Sequence, residues 1–306
     1  MHIYTTGEIT RDFYVAGFSW VPVYLLDGPE PVLFEAGWSF LAHVYERDIR
    51  AILGDRQPAY LFLSHSHFDH VGAASAFKRI WPDIKIAASP RIQEILSRPG
   101  AVQLIRDLNR GAAGLVRRFG LEPLAQDPFE PFDVDLRLVG GEVIQAGPGV
   151  SIQVIHAPGH TWDFMSYWIP ERRILIGSEA LGCEDSAGRI QPEFLVDYDA
   201  YLESLQTLSN LDAEVICPGH GVVVTAPDVK EYLRQSVETA EAFVAMVEGF
   251  LQEEGGDVEA AVVRVRIAEW DPKPYPKQPE APYLLNTRAR VKSILERMRR
   301  DQSNPS

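Results

Sequence analysis

Cysteine is scarce: Cys183 and Cys217 are the two in 306 residues, far apart and in no metal-type spacing. A disulfide framework is therefore not expected, and a reducing cytoplasm is the expected setting. Long apolar runs are missing too. No stretch approaches the ~20 consecutive apolar residues a membrane helix needs. Residues 1–12 carry Glu8, Arg11 and Asp12 and no apolar run, so no secretory signal is expected. Positive charge is the third shortage, with 29 Lys+Arg against 43 Asp+Glu and a net charge of −14. Nucleic-acid affinity rests on Lys and Arg contacts to phosphates, so a nucleic-acid surface is not expected. A small anionic substrate stays open, because bound cations would dominate the local field. The one basic concentration, Arg288, Arg290, Lys292, Arg297, Arg299 and Arg300, falls in a helical pattern and reads as a solvated helix face.

What is present alternates strand-like and helix-like patterns. Residues 20–26 and 31–35 read as strands joined by the turn Asp27-Gly28-Pro29. Ser39 is placed to cap a helix to about residue 53, with Leu41, Val44, Tyr45, Ile49 and Ile52 as its apolar stripe. Residues 60–63 are wholly apolar, as in a strand buried on both faces. A helix from about Gly72 to Pro82 and a strand over 84–88 follow. Residues 90–120 read as helices interrupted at Pro99-Gly100 and loosened by Gly111 and Gly114. Strands are expected over 136–139, 152–155, 165–169, 174–176 and 215–217, with a helix over 199–210. Beyond about residue 227 the pattern is helical except for a Pro-rich bend over 271–282. The expectation is an α/β domain over 1–226 with a helical insertion at about 90–120, then a helical C-terminal region over 227–306 covering the site.

The chemistry concentrates in His65-Ser66-His67-Phe68-Asp69-His70. Three of the eight histidines sit in these six positions, where composition alone predicts about 0.2. The segment leaves the end of the apolar strand 60–63, where α/β sheets place their sites. In extended geometry His65 and His67 project to one side and can share an ion. Asp69 and His70 follow once the chain turns and can address a second. Imidazole suits zinc, iron and similar borderline metals, and a carboxylate adds charge neutralisation. Further donors lie downstream. Pro158-Gly159-His160 and Pro218-Gly219-His220 each end an apolar strand in a tight turn that holds an imidazole, and Ser178-Glu179 ends another strand with a carboxylate. His156 reads as a hydrogen-bonding core or near-site residue, while His2 and His43 carry no expected role. The two cysteines read as small buried hydrophobes.

Together, His65-x-His67-x-Asp69-His70, Pro-Gly-His160 and Pro-Gly-His220 resemble the metallo-β-lactamase superfamily over residues 20 to about 224. That resemblance implies a four-layered αββα sandwich. It also implies that His65, His67 and His160 hold one metal while Asp69, His70 and His220 hold another. The family bridges its metals with the Asp of a Gly-Asp pair. Ser178-Glu179 stands there in this chain, so the bridge implied is Glu179, one methylene longer; a bridge from Asp185, or none, is the alternative. The family's Asp-x-Gly turn reads Glu35-Ala36-Gly37, which leaves Glu35 either orienting a ligand histidine or solvated.

Two cations sharing a water lower its pKa and supply hydroxide at neutral pH. Asp69, beside that nucleophile, is the expected catalytic proton carrier, and no Ser-His-Asp or cysteine nucleophile is apparent. Flavodiiron-type members of the superfamily have Glu where this chain has His67, which speaks against oxygen chemistry. The chain resembles the glyoxalase II-like thioesterase branch. Glu35-Ala-Gly, Ala180-Leu-Gly and Tyr201-Leu-Glu-Ser-Leu are similar to the thioesterase-like response proteins of bacterial alkylquinolone signalling. The implied substrate is a small-molecule ester or thioester, an acyl thioester first. A phosphodiesterase, a lactonase and a metal-binding regulator acting through partners are the alternatives. Two divalent ions are implied, zinc first, with iron or manganese open. No nucleic-acid or membrane partner is expected, and the oligomeric state is open, a homodimer included.

Overall fold

The apolar run ahead of the histidines is a strand inside a sheet, as its composition requires. In the computed structural model, which describes residues 1–125, 129–274 and 277–303, Tyr60–Phe62 pairs in parallel with a strand on each side. Chain order begins β1 (His2–Ile3), β2 (Gly7–Thr10), β3 (Phe13–Phe18), β4 (Val21–Leu26), β5 (Val32–Phe34), α1 (Ala42–Leu53) and β6 (Tyr60–Phe62). Next come α2 (Phe68–Val71), α3 (Ala74–Ile80), β7 (Lys85–Ala88), α4 (Pro90–Leu96), α5 (Pro99–Val116), β8 (Leu136–Arg137), β9 (Val143–Gln145) and β10 (Ser151–His156). The remainder is β11 (Met165–Ile169), β12 (Ile174–Glu184), β13 (Ile190–Gln191), α6 (Tyr198–Ser209), β14 (Val215–Gly219), β15 (Val223–Thr225), α7 (Val229–Glu253), α8 (Val258–Val265) and α9 (Glu280–Ser303).

One sheet is ordered β2-β3-β4-β5-β6-β7-β8, and the other β1-β15-β14-β12-β11-β10-β9 with β13 on the side of β12. Side chains alternate across each strand, and this alternation builds the layers. Phe34, Phe62, Tyr167 and Ile176 meet between the sheets. Leu33, Leu61 and Ile86 point the other way, under α1, α3 and α5. Leu175 and Ile216 lie under α6, α7, α8 and α9. Helix, sheet, sheet, helix is the expected four-layered sandwich. Each fully buried Leu or Phe in these interfaces contributes about 1.5–3 kcal/mol.

Several local expectations shift. Ser39 does not cap α1: it opens a 3₁₀ turn (Ser39–Leu41), and Leu41 precedes the helix without a side-chain cap. β1 to β3 were not expected; β3 is an apolar run broken by Gly17, so it showed no period-2 pattern. Gly111 and Gly114 leave α5 unbroken, while Pro99 takes its first turn, where a missing N–H costs nothing. β12 runs on past Ile176 through register shifts at Ser178 and reaches Glu184. The bend expected over 271–282 lies partly outside the described residues. The basic C-terminal segment is helical, as α9, but not solvated throughout: Arg290 is only 3% exposed.

Candidate metal centre

Parallel pairing of β6 with β5 and β7 carries the chain to the sheet edge with its polar groups paired. Leu63 N–H donates to Ala87 O at 3.0 Å, and Met165 N–H to Ser64 O at 2.8 Å. His67 stays extended and heads α2. The turn therefore falls between His67 and Asp69, separating the first two histidines from the Asp69-His70 pair. β10 and β14 end on the same side of the sandwich and are followed by His160 and His220, while Glu179 lies within β12, at its register shift after Ser178, rather than at the expected strand end. The Pro-Gly-His turn before His160 requires its glycine. Gly159 has φ +128°, and a Cβ there would lie 2.3 Å from Tyr201 Cα.

All seven donors singled out in the sequence converge. Ligand atoms of His65, His67 and His160 lie within 4.8 Å of one another, as do those of His65, His70 and Glu179, and those of Asp69, His70 and His220. His67 Nδ1 is 3.1 Å from His160 Nε2. Glu179, 3% exposed, sits between the groups. Its Oε1 is 2.8 Å from His70 Nε2 and 3.0 Å from His220 Nε2, while Oε2 lies 3.9 Å from His65 Nδ1. Asp69 Oδ2 is 3.4 Å from His220 Nε2. Asp185 instead ties down its own turn and Lys273.

His65, His160 and His220 each have one ring nitrogen hydrogen-bonded by the protein, and His70 has one facing a carboxylate. His65 Nδ1 meets Ser64 Oγ at 2.9 Å, and His220 Nδ1 donates to Trp20 O at 2.9 Å. His160 Nδ1 donates to the Glu193 carbonyl. His70 Nδ1 faces Glu35 Oε1 at 3.2 Å. Glu35 is buried, and its Oε2 also accepts Ser64 N–H at 3.2 Å. Of the two readings of Glu35, the orienting one fits the geometry and the solvated one does not. Fixing one ring nitrogen sets the tautomer and aims the other at the centre.

The free nitrogens are those of a metal pocket. His65 Nε2 and both ring nitrogens of His70 are buried without an aligned hydrogen-bond partner among the described residues, although His70 Nδ1 lies within ion-pair distance of Glu35. His70 Nε2 lies 2.8 Å from Glu179 Oε1, yet the two are not aligned as donor and acceptor. A buried polar atom left so costs about 1–3 kcal/mol. Nitrogen and carboxylate donors aimed at a common volume suit a divalent, borderline cation, and the residues present fit that group.

Charge divides the site. Burial pushes His65 well below the usual imidazole range, helped by His70 and His67. Burial likewise takes His160 down to about 3, with His67 adding to the effect. Both are held neutral, the form that binds metal. At His70 and His220 burial is outweighed by Glu179: His70 rises well above the usual range, and His220 to about 9. Glu179 is the counterpart. Burial alone would raise its pKa, but His70 and His220 hold it well below the usual carboxylate range.

The remaining expectations settle simply. His156 is exposed, not in the core, with Nε2 3.2 Å from Trp162 O. His43 is exposed on α1, and His2 pairs with Glu184 at 2.8 Å. Cys217 is buried, Cys183 is partly buried, and burial pushes both thiols well above the usual range. Ser178 was passed over in the sequence; its Oγ donates to Glu179 Oε2 at 2.7 Å. The carbonyls of Trp20 and Glu193 were missed as well, since a backbone oxygen leaves no mark in residue type.

The sequence profile of the metallo-β-lactamase superfamily matches residues 22–220. Among curated proteins, the chain is 24% identical to a metallo-β-lactamase fold-containing protein of Sulfurisphaera tokodaii over 60% of this chain and 67% of that one. It is 38% identical to a hydroxyacylglutathione hydrolase of Rhodopseudomonas palustris over 32% of this chain and 36% of that one. An atrochrysone carboxyl ACP thioesterase of Aspergillus fumigatus is 21% identical over 58% of this chain and 42% of its own. The chain thus spans from 36% to 67% of the length of these relatives. A solved metallo-β-lactamase family protein of Thermus thermophilus shares the fold, with a TM-score of 0.65 at 17% identity over 96% of this chain and 95% of that one. The matched span covers strands, helices and every donor of the centre from His65 to His220, and the chain belongs to the metallo-β-lactamase superfamily.

Proposed function

We propose that this protein is a metal-dependent hydrolase that cleaves a small-molecule acyl thioester at a binuclear centre. His65, His67 and His160 would hold one divalent ion, and Asp69, His70 and His220 the other, with Glu179 available to both. The observation that carries this reading is the position of Glu179, whose two oxygens face different histidine groups. When bound, such ions bring the pKa of water toward ~7 and polarise a carbonyl oxygen. The chain's own groups do the rest. Asp69, more open than Glu179, takes the proton lost on attack and returns it to the leaving thiolate. Glu35 and the Glu193 carbonyl keep His70 and His160 aimed. Both cysteine thiols stay protonated and take no part.

The thioester preference draws on two relatives, one named a thioesterase and one a hydroxyacylglutathione hydrolase. Zinc is the favoured metal, with iron or manganese compatible with the same donors. The substrate is a small molecule and not a nucleic acid, in keeping with the net charge of −14. No helix among the described residues is long and apolar enough to cross a membrane. A cytoplasmic setting, and a C-terminal region carrying α7, α8 and α9 that covers the site, belong to the same proposal. A panel of acyl thioesters, lactones and bis-p-nitrophenyl phosphate, run with wild type and His67→Ala, tests it. Thioester turnover that disappears in the variant is expected. Turnover confined to lactones or the phosphodiester would replace the thioester reading, and turnover of none would point to a regulator.

A further inference from the structure

The buried head of the C-terminal arginine row is tied to the centre. Arg290 Nη1 donates to Pro192 O at 3.0 Å and Nη2 to Thr287 Oγ1 at 3.1 Å, while the guanidinium lies 4.7 Å from the Phe243 ring centroid. A guanidinium taken out of water is costly unless it is bonded and packed in this way. Pro192 precedes Glu193, whose carbonyl receives the His160 Nδ1 proton. Two residues on, Leu195 and Val196 N–H donate to Gly159 O at 3.0 and 3.1 Å. Residues 193–196 therefore hold the Pro-Gly-His turn at the Gly159 carbonyl and at the His160 ring. The same helix grips the far end of that segment. Arg300 reaches Asp197 at 3.3 Å and Arg297 reaches Asp199 at 2.9 Å.

We infer that Arg290 is a positioning residue for His160, so that the C-terminal helix sets metal affinity at one half of the centre and not at the other. The other half is anchored elsewhere: His220 by the Trp20 carbonyl and His70 by Glu35. Without the Arg290 fork, the Pro192 carbonyl loses its partner and the adjoining Glu193 carbonyl is free to shift. His160 must then be ordered when the ion binds rather than before, which weakens that ion alone. The donor of this contact, Arg290, lies outside residues 22–220, the span matched by the family, and its acceptor, Pro192, lies within it. The inference rests on the two-ion reading above.

The test is competition between metal-free protein and a zinc chelator, resolving the affinity of each ion. Wild type is expected to bind two ions. Arg290→Met should keep one at wild-type affinity and bind the other about 10–100-fold more weakly. Arg290→Lys, which keeps the cation but not the fork, should show a smaller loss at the same ion. Adding Arg290→Met to His160→Ala should change nothing further. A merely structural role would weaken both ions together, and that result, or wild-type affinity at both, overturns the inference. If Arg290→Met does not fold, Arg290→Lys carries the same comparison. A wild-type protein that binds one ion sinks the two-ion reading, and the inference then survives only if Arg290→Met weakens that ion in wild type and not in the His160→Ala background.

Discussion

The two halves of the centre differ in burial, charge and anchorage. His65 and His160 are buried, held neutral by burial, and fixed by Ser64 and by the segment after β13. His70 and His220 face Glu179, and their anchors come from the N-terminal sheet: Glu35 after β5, and Trp20 at the β3–β4 turn. Neutral imidazoles compete with few protons for a metal, whereas the second group gives up carboxylate pairings when it binds one. The two proposed metal positions should therefore differ in affinity although Glu179 would be common to both. Burial and pairing, rather than ligand type alone, make the difference.

One change joins the halves and three separate them, taken from the largest expected effect. Removing Glu179 strikes both. Glu179→Ala leaves facing histidines without their carboxylate and should lower kcat/KM by about 10³-fold, near 4 kcal/mol. Steady-state kinetics at saturating zinc measures it, and a loss under tenfold would mean that Glu179 is not shared. Glu35→Gln acts on one half. It should weaken the ion at His70 by about 10–100-fold while leaving the His160 ion alone, as chelator competition would record. Gly159→Ala bears on the other half through the backbone. A Cβ there meets Tyr201 Cα at 2.3 Å in a conformation that side chains avoid, so about 1–3 kcal/mol of stability should go. Gly221→Ala, after His220, meets nothing within 4 Å at φ +82° and should cost about 1 kcal/mol from the left-handed backbone alone. Chemical denaturation of the metal-free variants compares the two, and equal losses would contradict the tighter packing assigned to the His160 turn.

Residue type made the donors legible because metal binding demands particular side chains, here clustered after β6, in the turns after β10 and β14, and within β12. Seven such side chains and Glu35 could be picked out, and they meet in space. The orienting groups were less visible. Trp20 and Glu193 contribute carbonyls, which every residue carries, and only the fold brings them beside a histidine. Arg290 shows the opposite error. A helical pattern of arginines reads as solvated when Phe243 and Pro192, distant in sequence, are not yet known to cover it. The strand failures have a similar cause: β3 pairs along its whole length with β4, but Gly17 breaks the pattern that would have announced it.

The most direct measurement is a crystal structure of zinc-loaded protein with anomalous maps at the zinc edge. The account predicts two peaks, one among His65, His67 and His160 and one among Asp69, His70 and His220, with the Glu179 carboxylate between them. A single peak, or two peaks with Glu179 turned away from both, would contradict it.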